Sequence, residues 1–219
     1  MIAAVGIDPG ASAGVAAVAW DGRTRPILLH AGNVRASTDA LWWHRARREL
    51  DLVHQALAAV HDADTILRVE RYLEAVPVWM EEPPPATSSG NRLAGDRRGM
   101  RSWYGMGRRA GLLTAAALEA ELSAPLRIPQ RKWVGLHHRG TVRRRKVRTQ
   151  GSSIPGAHRI AEAEVVVAGS HQVLASVAGA GTDAARKAAI DVAEAILVAA
   201  AACFDRGHML RRQALEVVR

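Results

Sequence analysis

Ile2-Ala3-Ala4-Val5-Gly6-Ile7-Asp8-Pro9-Gly10 opens the chain with a nearly continuous apolar run that ends on a carboxylate and a turn. An uninterrupted apolar run of this kind is what a strand covered on both faces shows. Asp8-Pro9-Gly10 stops it, because proline brings no backbone N–H and this trio favours a turn. Working outward, Gly14 to Trp20 reads as a second strand, Asp21-Gly22 as a hairpin turn and Pro26 to Ala31 as a third strand. Together they predict an antiparallel meander at the N-terminus.

Ser37 or Thr38 can cap a helix that carries Trp42, Leu50, Val53, Leu57 and Val60 at helical spacing. Val76 to Met80 reads as a short buried strand ending at Glu81, Glu82 and three consecutive prolines. Ala86 to Met100 is rich in Ser, Gly, Asn and Arg and predicts a mobile surface loop over about 84–101. Arg108 to Leu122 has the Ala/Leu pattern of a buried helix, Leu126 to Ile128 that of a short strand, and Pro129 can open the next helix. Gly151 to Gly181 stays unassigned: Ala157 to Ala168 could be helical, whereas Val165-Val166-Val167 and Val173 to Val177 favour a hairpin. Thr182 or Asp183 then caps an Ala-rich helix expected to end near Phe204, with Gly207 as its stop.

The chain has 219 residues, 48% of them hydrophobic and 23% charged, which predicts one soluble globular domain over 1–219 and excludes disorder, collagen and a disulfide scaffold. Thirty Lys and Arg against 21 Asp and Glu give a formal charge of +9, so nucleic acid is the first expected partner. Lys132, Lys146 and Lys187 are the only lysines; the rest of that charge is guanidinium, which binds phosphate bidentately. Cys203 alone forms neither an intramolecular disulfide nor a zinc ribbon, which favours a reducing, cytoplasmic setting. The apolar run Ala188 to Phe204 is too short and, with Asp191 and Glu194, too acidic for a bilayer, so no membrane role is expected.

Chemistry is expected where acids interrupt apolar elements, since a buried carboxylate costs several kcal/mol unless a cation or hydrogen-bond donors compensate it. Asp8 ends the first strand, Glu81 or its neighbour Glu82 ends a later one, and Asp191 and Glu194 stand three apart on one face of the last helix. Strand ends plus one helix face can supply the hard oxygen ligands that two divalent cations need for phosphoryl transfer. Lys187, one turn before Asp191, could meet the scissile phosphate. Taken singly, each acid has a structural explanation: a turn former, a solvated strand exit, a polar helix stripe. His137 and His138, adjacent in sequence, are expected at the surface or on phosphate rather than in catalysis.

Three patches resemble the RuvC-like Holliday junction resolvases, a branch of the RNase H-like nuclease superfamily. Ile7-Asp8-Pro9-Gly10 with Gly14 is similar to the family's first-strand motif, whose Asp is a metal ligand. Val78-Trp79-Met80-Glu81, followed by Gly107-Arg108-Arg109-Ala110-Gly111, resembles the strand ending in a catalytic Glu and the Gly-rich helix start after it. Asp191-Val192-Ala193-Glu194-Ala195 resembles the closing helix with its two acids, although Glu194 stands where an Asp is usual.

The resemblance implies an RNase H-like mixed five-stranded sheet flanked by helices and two metal ions per active site, magnesium with manganese as a substitute. Asp8, Glu81, Asp191 and Glu194 would be the ligands. It further implies a homodimer acting on a four-way DNA junction in a bacterial cell or phage-infected host. Lys132, Arg143, Arg144, Arg145 and Lys146, with Arg108 and Arg109, are the expected DNA contacts. The long Gly151 to Gly181 stretch departs from the bacterial pattern and looks more like phage-borne members. Competing readings are another RNase H-like nuclease acting on flaps or RNA precursors, a non-catalytic DNA-binding module, and an actin-like or sugar-kinase ATPase.

Overall fold

The structure, a computed structural model, describes residues 1–10, 12–60, 76–82, 97–130, 132–134, 156 and 158–217. Five strands form one sheet: β1 (Ile2–Asp8), β2 (Ala13–Trp20), β3 (Ile27–Val34), β4 (Val78–Glu81) and β5 (Leu126–Ile128). Their order is β3-β2-β1-β4-β5. The first three pair antiparallel, with residues 21–26 rather than a two-residue turn joining β2 to β3, whereas β4 runs parallel to β1 and β5 parallel to β4. This is the mixed five-stranded α/β sheet flanked by helices that the family resemblance implies.

Among the described residues the helices that cover it include α1 (Asp39–Ala58), α2 (Arg97–Glu119), α3 (His158–Val166), α4 (Ser170–Ala178) and α5 (Asp183–Val217). Thr38 caps α1, its Oγ1 accepting from the Leu41 N–H at 3.3 Å. Alternation along the strands divides the core between the two faces of the sheet. Ala3, Val5 and Ile7 of β1, with Val78 and Met80 of β4, pack toward α1 and α2. Ala4 and Trp79 lie on the opposite face, against α5. Between Val192 and Cys203 every residue of α5 except Glu194 is buried, because the sheet covers one side of the helix and α3 and α4 cover the other. That enclosure explains why the helix is built of alanine.

One open segment resolves and two expectations change. The stretch 158–178 forms two helices, the first within the helical alternative for Ala157 to Ala168, and not a valine hairpin; Ala168 bridges to Ile27 at the sheet. Helix α2 begins at Arg97, eleven residues before the predicted start at Arg108, because its first turns carry no large apolar periodicity to betray them. The rest of the predicted loop lies outside the described residues. Helix α5 continues past Phe204 to Val217. Gly207 is not a stop but a close-packing residue: a Cβ there would meet Trp20 Cζ3 at 2.6 Å.

Candidate metal centre

Strand parity sets the first two carboxylates. Ile7 pairs with Met80 across the parallel β1–β4 junction, so the next residues, Asp8 and Glu81, end neighbouring strands on the face turned to α5. Of the two adjacent glutamates, Glu81 is partly buried and charge-coupled to Asp8, whereas Glu82 is exposed. Helix α5 supplies the other two acids, and two glycines let it come close. A Cβ on Gly6 would collide with the carbonyl oxygen of Ala195, and one on Gly14 with that of Asp191. The result is a cluster in which ligand oxygens of Asp8, Asp191 and Glu194 all lie within 4.8 Å of one another.

The β1–β2 turn serves the cluster through its backbone. The Gly10 N–H donates to Asp8 Oδ1 at 3.2 Å, and the Ser12 N–H to Asp191 Oδ2 at 3.0 Å. Asn33 on β3 anchors this turn, its Nδ2 donating to the Ser12 carbonyl at 2.6 Å.

Burial raises all four pKa values. Burial pushes Asp8 well up, and the charges of Glu194, Asp191 and Glu81 push it further. Burial and then Glu194 lift Glu81 to about 8, against the pull of the Arg159 guanidinium and the Trp133 side chain. Burial lifts Asp191 to about 7 despite the Ser12 amide, with Arg109 and Lys187 also favouring its charge. Glu194 is raised by burial and held back by Arg159. Like-charged carboxylates in a poorly solvated site destabilise one another unless a cation joins them.

The residues fit such a cation. Hard carboxylate oxygens of Asp8, Asp191 and Glu194 converge from a strand end and a helix, and Glu81 ends the strand beside Asp8. Oxygen-only ligation suits magnesium, manganese or calcium rather than a soft metal.

The cluster has a neighbour that sequence reasoning did not single out. Arg159, on α3, places Nη1 2.8 Å from Glu162 Oε2 and Nε 3.5 Å from Glu194 Oε1. Its guanidinium also lies over the Trp133 ring, 4.9 Å from the centroid. No signal marked it, because helix and hairpin could not be told apart in its segment. Ser12 and Asn33 act through a backbone amide and a turn anchor, which residue type does not reveal.

The expected DNA contacts fall in different places. Arg109 and the exposed Lys187 lie near enough to act on Asp191. Lys132 is exposed, its ammonium 5.8 Å from the Trp79 ring centroid. Arg108 is paired with Asp39 at 2.7 Å on the surface. Arg143, Arg144, Arg145 and Lys146, with His137 and His138, lie outside the described residues.

No family model matches the chain, and no curated protein matches it. Among solved structures it is similar to Thermus thermophilus RuvC in complex with a Holliday junction substrate, at 21% identity and a TM-score of 0.46, covering 95% of this chain and 97% of that one. A second structure of Thermus thermophilus RuvC is similar at 19% identity and a TM-score of 0.42, covering 94% and 96%. Among the described residues no helix is long and apolar enough to cross a membrane.

Proposed function

We propose that this protein is a metal-dependent endonuclease of RNase H-like type that resolves four-way DNA junctions by paired symmetric nicks. The observation that carries the reading is the convergence of Asp8, Asp191 and Glu194 within 4.8 Å of one another, with Glu81 ending the neighbouring strand and electrostatically acting on Asp8. Stability gives no reason to collect four carboxylates there. Residues 1–219 are read as one nuclease domain, acting as a homodimer so that two sites cut the two strands of a symmetric junction.

Asp8, Glu81, Asp191 and Glu194 would hold two divalent ions, magnesium or manganese, which when bound supply an activated water and charge stabilisation for the leaving 3′ oxygen. The attacking water oxygen bonds to phosphorus as the P–O3′ bond breaks, leaving a 5′-phosphate and a 3′-hydroxyl. Asp8, on which the charges of the other three act, would be a ligand central to the site. Ser12 holds Asp191 by its amide, fixing one oxygen and leaving the other for ligation. Lys187 and Arg109 stand on the Asp191 side, where their cations meet the scissile phosphate and its neighbours. Lys132, Arg108 and the run Arg143, Arg144, Arg145 and Lys146 bind the flanking backbone.

The test is cleavage of an end-labelled four-way junction beside linear duplex, flap and RNA/DNA hybrid, with magnesium, manganese or EDTA. Paired symmetric nicks on the junction, lost in EDTA, are expected. Preference for a flap or hybrid would move the substrate to another RNase H-like nuclease activity. Tight binding without cleavage in any metal would make the chain a DNA-binding module.

A further inference from the structure

Arg159 sits where the metal reading needs a ligand to be free. Glu194 can bind a cation only with the oxygen that now faces Arg159 Nε at 3.5 Å, or beside that guanidinium's positive charge. Two ion pairs and an aromatic ring hold Arg159 there. Its Nη1 pairs more closely with Glu162, at 2.8 Å, than its Nε does with Glu194. The guanidinium carbon lies over Trp133, itself fully buried. The side chain is 12% exposed, so the ion pairs are poorly screened by water.

We propose that Arg159 is a positioning residue that competes with divalent ions for Glu194 and so sets how tightly the site takes them, with Glu162 as the anchor that receives it when Glu194 is released. The inference rests on the metal-centre reading above. Its logic is competition. A guanidinium on Glu194 keeps the acidic cluster assembled before metal arrives, and the same charge must be withdrawn or tolerated when a divalent ion binds. Glu162 makes withdrawal cheap, because Arg159 keeps its closer ion pair and its aromatic neighbour when the longer pair breaks. The fork of an arginine is needed for this: an ammonium has no planar face for Trp133 and no paired edges for two carboxylates.

The test is calorimetric titration of Mn2+ into the full chain near pH 8, without DNA, for wild type, Arg159→Ala, Arg159→Lys, Glu162→Gln and Asp8→Asn. Arg159→Ala is expected to bind Mn2+ on the order of ten-fold more tightly than wild type, since a close cation no longer competes. Glu162→Gln, an isosteric change that leaves Arg159 in place, is expected to bind several-fold more weakly, because the guanidinium then rests on Glu194 alone. Arg159→Lys keeps a cation without the fork and is expected to fall between wild type and Arg159→Ala. Unchanged or weaker binding in Arg159→Ala would overturn the proposal, and so would binding by Arg159→Lys weaker than that of wild type. If Arg159→Ala does not fold, Glu162→Gln decides: affinity equal to or above wild type would overturn it. Mn2+ binding in wild type with no Arg159 or Glu162 effect defeats this inference alone. Equal binding by wild type and Asp8→Asn, or none in any variant, defeats the metal-centre reading with it.

Discussion

Asp8 is the residue on which three other carboxylates act, and its substitution separates chemistry from folding. Asp8→Asn is expected to cut junction cleavage by more than about 100-fold, beyond the usual effect of a residue that only supports a metal ligand. DNA binding, read by gel shift in EDTA, should persist or tighten because a negative charge near phosphate is gone. The pH dependence of stability has a definite sign. All four acids are held above their unfolded values near about 4, so the folded chain binds more protons than the unfolded one. Their stabilising contribution is full below that pH and is lost as pH rises through about 7 for Asp191 and about 8 for Glu81. Thermal melts in EDTA should therefore decline between about pH 5 and pH 8, less steeply in Asp8→Asn, and added Mn2+ should recover the loss. Equal slopes in wild type and Asp8→Asn would contradict the crowding. At this scale Asp8, Asp191 and Glu194 were legible because an acid inside an apolar element is conspicuous. Glu81 and Glu82 could not be separated until the pairing of Ile7 with Met80 set which one faces α5. Arg159 was illegible, since its role depends on α3 folding back over a helix 24 residues farther along.

The elements meet at the site because two strands are thinned by glycine where α5 crosses them. Gly14→Ala would drive a Cβ into the backbone of Asp191, which cannot swing aside as a side-chain tip can. We expect a loss of about 1–3 kcal/mol or more on chemical denaturation, together with weaker Mn2+ binding as Asp191 is pushed from Asp8. Gly111→Ala on α2 is the control, as its Cβ would meet nothing within 4 Å. There the change should be neutral or stabilising by up to about 1 kcal/mol. The meander, α1 with its Thr38 cap and the short β4 and β5 were readable because each carries its own period or turn. The start of α2 and the whole of α3 and α4 were not. Their sequences lack a decisive period, and α3 and α4 are helical by virtue of packing on α5. Gly207 misled because a glycine that admits Trp20 looks, in sequence, like one that ends a helix.

At the scale of the whole molecule, the +9 charge and the near-absence of lysine predict salt-sensitive binding to a polyanion. Replacing Arg143, Arg144, Arg145 and Lys146 by glutamine should flatten the salt dependence of DNA affinity by about 0.9 in log–log slope for each phosphate that the chain ceases to neutralise. An unchanged slope would place the DNA path elsewhere, toward Lys132 and the Arg109–Lys187 side of the site. Everything in the account turns on the four carboxylates being one metal centre. The measurement that tests this most directly is anomalous diffraction from a crystal of the wild-type chain soaked in Mn2+ near pH 8. Two manganese peaks bound by Asp8, Glu81, Asp191 and Glu194, with Arg159 drawn back onto Glu162, are the predicted result. Featureless density among these four side chains, with the Arg159 guanidinium still on Glu194 at saturating Mn2+, would contradict it.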